Sequence, residues 1–154
     1  MADVFRCHLN WVGGASGPTT NPAEFSRDLH VSFEGGPGLE MSAAPGYRGD
    51  PTRANPEQLL VASLSACQAL TYLYLAARAG VPIARYEDDP EGRLGLADGR
   101  LRMTRVTLRP AITLAAGASE AAAREIIEPA HRQCFVANSV TTAVTIEPTF
   151  RAAE

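Results

Sequence analysis

Lysine is absent from the sequence, whose 14 cationic residues are all arginine. The protein therefore has no lysine that could form a Schiff base or act as a nucleophile. Charge is sparse in general, since 20% of the residues are charged, the formal net charge is −3 and no long run of one sign occurs. This pattern argues against a surface that neutralises nucleic-acid phosphates. The first residues also lack the charged start and apolar stretch of a signal peptide, so none is expected.

Cysteine is scarce too, and its pattern limits the compartment and the chemistry. Cys7, Cys67 and Cys134 are odd in number and widely spaced, unlike the paired cysteines of a small secreted domain. We therefore expect a cytoplasmic protein, in which thiols stay reduced and a disulfide is transient and catalytic. A zinc site of Cys67, Cys134 and His131 is not expected, because the sequence has no CxxC or HxxxH spacing.

The order of the predicted elements indicates an α+β fold in one domain over residues 1–154. Alternation with period two predicts strands, and apolar spacing of three and four predicts helices. Asp98-Gly99 indicates a hairpin between two long strands, Pro129 is expected to kink the second helix, and Pro148 is expected to end the last strand. The predicted strands span 5–12, 25–33, 39–43, 83–96, 101–114 and 140–146, and the helices span 56–79 and 120–132.

The first predicted helix is the most distinctive element. Asn55 is a capping residue, Pro56 occupies the first helical position and Glu57 lies in the first turn. Almost no charge follows before Arg78, so the helix is expected to be buried on most of its circumference. Its many small residues suit a core helix better than a membrane span. In a domain of this size, such burial requires sheet on more than one side, or a second subunit.

Cys67 lies in the middle of this helix. A lone cysteine on an apolar helix face is commonly a small buried hydrophobic residue. Here the neighbouring residues Ser63, Ser65 and Ala66 are small and leave room around the sulfur. A second cysteine, Cys134, ends the second helix, and a loop that carries two arginines precedes the first. Because a nucleophilic thiol needs a cationic neighbour, these features indicate a two-cysteine redox protein or a cysteine nucleophile.

Two motifs resemble the signatures of the OsmC/Ohr family. Residues 55–67, NPEQLLVASLSAC, are similar to its Asn-Pro-Glu helix start with a cysteine ten residues after the glutamate. Residues 131–139, HRQCFVANS, resemble its second cysteine at a helix end, followed by a short loop. The order of elements is similar over nearly the whole chain. The loop around Tyr47 and Arg48 looks like the OsmC-like branch rather than the organic-hydroperoxide-resistance branch.

The resemblance implies an OsmC-like fold, with antiparallel sheets packed around a long buried central helix, in an intertwined homodimer whose active sites lie at the subunit interface. It also implies a hydroperoxide reductase without a cofactor. Cys67 would attack the peroxide and become a sulfenic acid, and Cys134 would condense with it to a disulfide. An external dithiol would reduce that disulfide. Glu57 matches the family's glutamate, although a carboxylate in a first helical turn also interacts favourably with the helix dipole.

The sequence leaves open which arginine activates Cys67. Arg48 is preferred, because it lies close to the position where the OsmC branch carries its arginine. Arg27 is the counterpart in other branches, and Arg53 lies nearer to the helix. Cys7 alternates with apolar residues on a strand face and is expected in the core.

The substrate and the rival functions are further expectations. Leu64, Tyr72 and Phe135, expected near the cysteines, favour an organic hydroperoxide over hydrogen peroxide. One alternative is a redox-sensing or small-molecule-binding protein of the same fold with little turnover. Another is a cysteine hydrolase, which would need His131 as a base oriented towards Cys67.

Overall fold

The computed structural model describes residues 3–153, and the chain divides into two compact units, 1–59 and 60–154. The first unit contains an antiparallel sheet in the order β1-β2-β3. Short 3-10 turns at Val12–Ser16 and Pro45–Tyr47 lie in its connections. All three strands fall within the predicted ranges, and they span Cys7–Trp11 (β1), Leu29–Phe33 (β2) and Leu39–Met41 (β3).

β1 and β2 pair antiparallel, and Trp11 at the end of β1 also contacts the segment that leads into β2. The indole Nε1 donates a hydrogen bond to the carbonyl of Ser26 at 2.8 Å. A Cβ atom on Gly13 would lie 2.5 Å from that nitrogen, so the position requires glycine.

Cys7, expected in the core, is exposed instead. The reason is that β1 forms the edge of this sheet, and in the single chain its side chains face solvent.

The long predicted helix is α1 (Pro56–Arg78). Asn55 and Gln58 cap its start reciprocally, with backbone-to-side-chain hydrogen bonds of 2.9 and 3.0 Å. Gly80, with φ 68°, takes the left-handed conformation that follows many helices. By length and composition α1 could cross a membrane, but one of its faces packs into the core of a soluble fold.

The burial of α1 is narrower than expected. Its buried residues are Leu64, Gln68, Tyr72 and Ala76, which lie four apart and form one stripe. Residues beside this stripe are half-buried, and the opposite face is exposed in the single chain, where Leu70 is 70% exposed. The expectation of burial on most faces is therefore wrong for one chain, because the chain's own sheets cover only one side of the helix.

The second unit contains two mixed sheets, in the orders β4-β7-β9 and β5-β6-β8. Within them β7 and β9 are parallel, as are β6 and β8. The prediction of antiparallel sheets is thus correct for the first unit, and it misses the parallel pairs of the second. The strands are Ile83–Asp88 (β4), Glu91–Ala97 (β5), Arg100–Leu108 (β6), Pro110–Leu114 (β7), Ala143–Ile146 (β8) and Thr149–Ala152 (β9).

Three prolines divide strands that were predicted to be continuous or final. Pro90 separates β4 from β5, Pro110 begins β7 directly after β6, and Pro148 separates β8 from β9. Proline donates no hydrogen bond to a sheet and is therefore confined to strand ends, edges and bulges. At each of these three prolines the chain passes from one sheet of the second unit to the other. The hairpin at Asp98-Gly99 is confirmed, with both residues at positive φ.

The second predicted helix is broken, as Pro129 indicated. It forms α2 (Glu120–Glu125) and α3 (Ile127–Gln133), which meet at Ile126. Pro129 has no N–H to donate to the carbonyl of Glu125, so the helix cannot run through without a break. Ser119 caps α2 and accepts a hydrogen bond from the backbone N–H of Ala122 at 3.2 Å.

The second unit contains two hydrophobic clusters, which include residues at different positions along α1. The first cluster contains Tyr72 and Ala76 of α1, together with Ile112, Leu114, Ala123, Ile126 and Ala130. The second contains Leu64 of α1 with Val106 and Leu108, and Val136, Ala137 and Val144 pack against it. Gln68 lies between Leu64 and Tyr72 on the buried stripe, and therefore between the two clusters.

Candidate active site

The structure brings Cys67 and Cys134 together. Cys67 lies in the middle of α1 and is partly exposed, whereas Cys134 caps the end of α3 and is 1% exposed. Cys134 leaves the helical conformation, with φ −71° and ψ 109°, and the chain turns there. Both residues are free thiols, and the side chain of Cys67 interacts directly with that of Cys134. A partly exposed thiol in contact with a buried one is an arrangement from which a disulfide can form.

The electrostatics of Cys134 keep it in the thiol form at neutral pH. Burial is the largest cause that raises the pKa of this group, and the neighbouring Cys67 raises it further. Backbone N–H groups of Ala137 and Val136 face the sulfur and act in the opposite direction. The pKa is nevertheless raised well above its ordinary value, because the N–H groups do not offset the loss of solvation.

Hydrogen bonds through Asp88 attach α1 to the sheets just before Cys67. The hydroxyl of Ser65 donates to Asp88 Oδ2 at 2.5 Å, and the other carboxylate oxygen of Asp88 accepts from the backbone N–H of Arg109 at 2.6 Å. Asp88 ends β4, and Arg109 lies between β6 and β7. The two hydrogen bonds therefore attach α1 to both sheets of the second unit.

Three polar side chains of the second unit contain buried atoms without a hydrogen-bond partner in the described part of the chain: Gln68 Nε2 and Oε1, the Tyr86 hydroxyl and His131 Nδ1. By contrast, the hydroxyl of Tyr72 donates to the carbonyl of Ala123 at 3.1 Å. The sequence prediction had singled out His131 but missed Gln68 and Tyr86. The signal for Gln68 was present, because it lies four residues from both Leu64 and Tyr72 in an apolar helix.

Glu57 lies in the first turn of α1, as predicted. Its Oε2 atom is buried and has no hydrogen-bond partner among residues 3–153. A buried carboxylate oxygen is costly to leave unpaired. The helix dipole alone therefore does not explain this side chain, and a cationic partner is chemically appropriate.

Arg53, one of the three candidate arginines, forms ion pairs with carboxylates. Its guanidinium lies 3.2 Å from Glu40, 3.3 Å from Asp50 and 3.9 Å from Asp28. Hydrogen bonds from Thr52 lower the pKa of Asp50, and the charge of Arg53 adds to that effect. Three acidic partners neutralise Arg53, which makes it a poor activator of a thiol.

Arg27 and Arg48 line one cavity of about 480 Å³ in the first unit, together with Ala43, Gly46 and Tyr47. Arg48 has a left-handed backbone (φ 65°) and donates to the carbonyl of Ala23 at 2.8 Å. Arg27 donates to the carbonyls of Phe25 and Pro22, and it lies over the Phe25 ring at 4.0 Å. Neither forms an ion pair with a carboxylate in the described chain. Both therefore retain an uncompensated positive charge.

Comparison with known proteins agrees with the two cysteine motifs. The family of OsmC-like proteins matches residues 49–149. The fold is similar to that of an OsmC-like protein of unknown function from Vibrio cholerae, with 30% identity and a TM-score of 0.87 over 96% of this chain and all of that one. No curated protein sequence matches the chain.

Two organic hydroperoxide resistance proteins share the fold at lower identity. One, from Elizabethkingia anophelis, is 22% identical with a TM-score of 0.69 over 99% of this chain and all of that one. The other, from Bacillus subtilis, is 18% identical with a TM-score of 0.63 over 97% of this chain and 98% of that one. The chain belongs to the OsmC-like family.

Proposed function

We propose that the protein is a thiol-dependent hydroperoxide reductase. The observation that carries this proposal is the contact between a partly exposed Cys67 and a buried Cys134. In the first step the Cys67 thiolate attacks the peroxide, the O–O bond breaks, and Cys67 sulfenic acid and an alcohol form. In the second step Cys134 attacks the oxidised sulfur, a disulfide forms and water leaves. An external dithiol then reduces the disulfide, and no cofactor is needed.

The difference in exposure supports the proposed roles of the two cysteines. Cys67 can meet a peroxide from solvent, whereas Cys134 is 1% exposed and is reached through Cys67. Burial also raises the pKa of Cys134, and a thiol in that form is a weak nucleophile towards a peroxide. Cys67 is therefore the attacking residue and Cys134 the resolving residue.

An organic hydroperoxide remains the preferred substrate. Leu64 and Tyr72, which were expected near the cysteines, are fully buried in the two clusters that α1 contacts. Phe135 follows Cys134 and is 82% exposed. It supplies an apolar surface beside the cysteine pair, and two structural relatives are named for organic hydroperoxide resistance.

We further propose that the working protein is a homodimer whose active site includes Glu57 and an arginine. Leu70, Leu73 and Tyr74 leave an exposed apolar face on α1, and a second copy is the partner that the family resemblance implies. The unpaired oxygen of Glu57 supports a forked pair with Arg48 or Arg27 in the assembled protein. Such a pair would aim a guanidinium at the Cys67 thiolate. Sedimentation should give about twice the chain mass of 16.4 kDa, and a monomer at micromolar concentration would contradict the proposal.

A mass spectrum after one equivalent of cumene hydroperoxide tests the chemistry. We expect a loss of two hydrogens, mapped to a peptide that joins Cys67 to Cys134, and complete recovery of both thiols with dihydrolipoamide. Steady consumption of excess peroxide under the same dithiol distinguishes an enzyme from a redox sensor, which would oxidise once and stop. If ester hydrolysis were found instead and survived loss of Cys134, the peroxidase proposal would be wrong.

A further inference from the structure

The packing of α1 places Gln68 opposite Cys134. One turn before Gln68, Leu64 belongs to the cluster against which Val136 and Ala137 pack. One turn after it, Tyr72 belongs to the cluster that contains Ala130. The two clusters therefore flank Gln68 on the buried stripe of α1, and they also flank Cys134 within the segment 130–137. The contact between Cys134 and Cys67, the residue before Gln68, agrees with this placement.

Tyr86 of β4 packs against the adjacent turn of α1. Two residues further along the strand, Asp88 accepts the hydrogen bond of Ser65. The ring of Tyr86 itself lies 5.9 Å from the ring of Tyr72, centroid to centroid. The two contacts bracket the stretch 65–72 of α1, with Gln68 in its middle. Tyr86 packs against the first cluster, and Gln68 follows that cluster on the buried stripe towards the second. We name Gln68, Tyr86 and Cys134 the polar seam, because each of the three carries a buried polar group in this part of the core.

The polar seam is unusual because its donors are buried and unused. Gln68 is 1% exposed, and neither its amide nor the hydroxyl of Tyr86 has a partner within residues 3–153. Buried polar groups are nearly always paired, and an exception calls for a reason. Burial, and then the Asp88 carboxylate, raise the pKa of Tyr86, so its hydroxyl remains a proton-bearing donor. Cys134 is also among the groups that raise the pKa of Tyr86. Two neutral donors thus lie in the same part of the core as a thiol that needs negative charge only during one step.

We propose that Gln68 and Tyr86 donate hydrogen bonds to the Cys134 sulfur while it resolves the sulfenic acid. In this step the S–S bond forms, the S–O bond of Cys67 breaks, and the departing hydroxide takes up the Cys134 thiol proton to give water. Negative charge develops on Cys134 before that bond is complete, in a site from which water is excluded. Fixed donors that act only at that moment speed the step without stabilising the resting thiol. The inference rests on the proposed peroxidase function.

A matched pair of variants separates this role from a structural one. Tyr86→Phe removes a hydroxyl that has no partner in the described chain, whereas Tyr72→Phe removes one that is bonded to Ala123. We expect Tyr86→Phe to form sulfenic acid at the wild-type rate, and to convert it to disulfide roughly tenfold more slowly. We expect Tyr72→Phe to unfold at lower temperature and to resolve at the wild-type rate.

The measurement is a rapid-quench reaction with cumene hydroperoxide and no dithiol, with dimedone as the sulfenic-acid trap and mass spectrometry of the Cys67 peptide. Excess peroxide should give more Cys67 sulfinic acid in Tyr86→Phe than in the wild type. Gln68→Leu, which suits the apolar surroundings, should show the same defect without a loss of thermal stability.

Equal resolution rates in the wild type, Tyr86→Phe and Gln68→Leu would overturn the inference, and so would an equal slowing by Tyr72→Phe. If the wild type forms trappable sulfenic acid and all variants resolve it at the same rate, the peroxidase proposal stands and only the role of the polar seam is removed. A wild type that forms no sulfenic acid removes both.

Discussion

The two compact units of the chain differ in what surrounds two of their ionisable groups, Arg53 in the first and Cys134 in the second. In the first, Arg53 gathers three carboxylates, and His30 approaches one of them, Glu40, at 2.6 Å. In the second, the pKa of the Cys134 thiol is shifted by burial, by the Cys67 side chain and by two backbone N–H groups. None of these causes is a cation. The second unit thus supplies a nucleophile in surroundings that disfavour its anion. Arg48 and Arg27 of the first unit, which donate to backbone carbonyls and have no carboxylate partner in the described chain, remain the candidates for the proposed activation of Cys67.

The largest expected effect is in the second unit, at the thiols themselves. Cys67→Ser should abolish peroxide turnover, because an alcohol does not attack at neutral pH. Cys134→Ser should give one burst of consumption, after which sulfenic or over-oxidised Cys67 accumulates. Peroxide loss in the presence of a dithiol, followed over many equivalents, measures both. Cys7→Ser is the control, since Cys7 is exposed on β1 and should leave the kinetics unchanged. Full multiple turnover in both Cys67→Ser and Cys134→Ser would contradict the scheme.

A second prediction compares the arginines within the first unit. Arg48→Ala should lower the rate of Cys67 alkylation by iodoacetamide at pH 7 roughly tenfold, which corresponds to about 1.4 kcal/mol of thiolate stabilisation. Arg27→Ala is the rival variant, because Arg27 lines the same cavity and is equally free of carboxylates in the described chain. Arg53→Ala is the matched control and should have little effect, because three carboxylates already neutralise its charge.

The outcome assigns the activating residue. A slower reaction in Arg27→Ala alone would transfer the role from Arg48 to Arg27. A slower alkylation in Arg53→Ala alone would show that Arg53 activates Cys67 in spite of its three carboxylate partners. No change in any variant would mean that Cys67 is not activated by an ion pair.

The cysteine pair was predictable because each cysteine sits in a motif with fixed spacing, at a helix end or ten residues after a helix start. The sheets were less predictable, because Pro90, Pro110 and Pro148 mark passages between two sheets, and a sequence shows a strand break without showing which sheet follows. Burial was least predictable. Composition cannot separate apolar residues covered by the same chain, such as Leu64, from those left open, such as Leu70. The polar seam was missed for a related reason, since the burial of the polar atoms of Tyr86 and Gln68 depends on tertiary packing.

The smallest expected effect concerns stability at alkaline pH. The ordinary pKa of a cysteine is 9.0, and burial raises that of Cys134 above this value in the folded protein. Between these two values the unfolded chain loses the thiol proton while the folded chain keeps it, so the unfolded state is favoured as pH rises. We therefore expect the free energy of unfolding of the reduced protein to be level below about pH 8 and to fall from about pH 9 upward. Urea titrations from pH 7 to 10 measure the slope.

Burial also raises the pKa of Tyr72 to about 12, but its ordinary value of 10.0 places that contribution at higher pH. Cys134→Ser should remove most of the slope between pH 8.5 and 10. A slope that survives this substitution would show that the buried thiol is not its source, and that the second unit tolerates a thiolate better than its apolar surroundings imply.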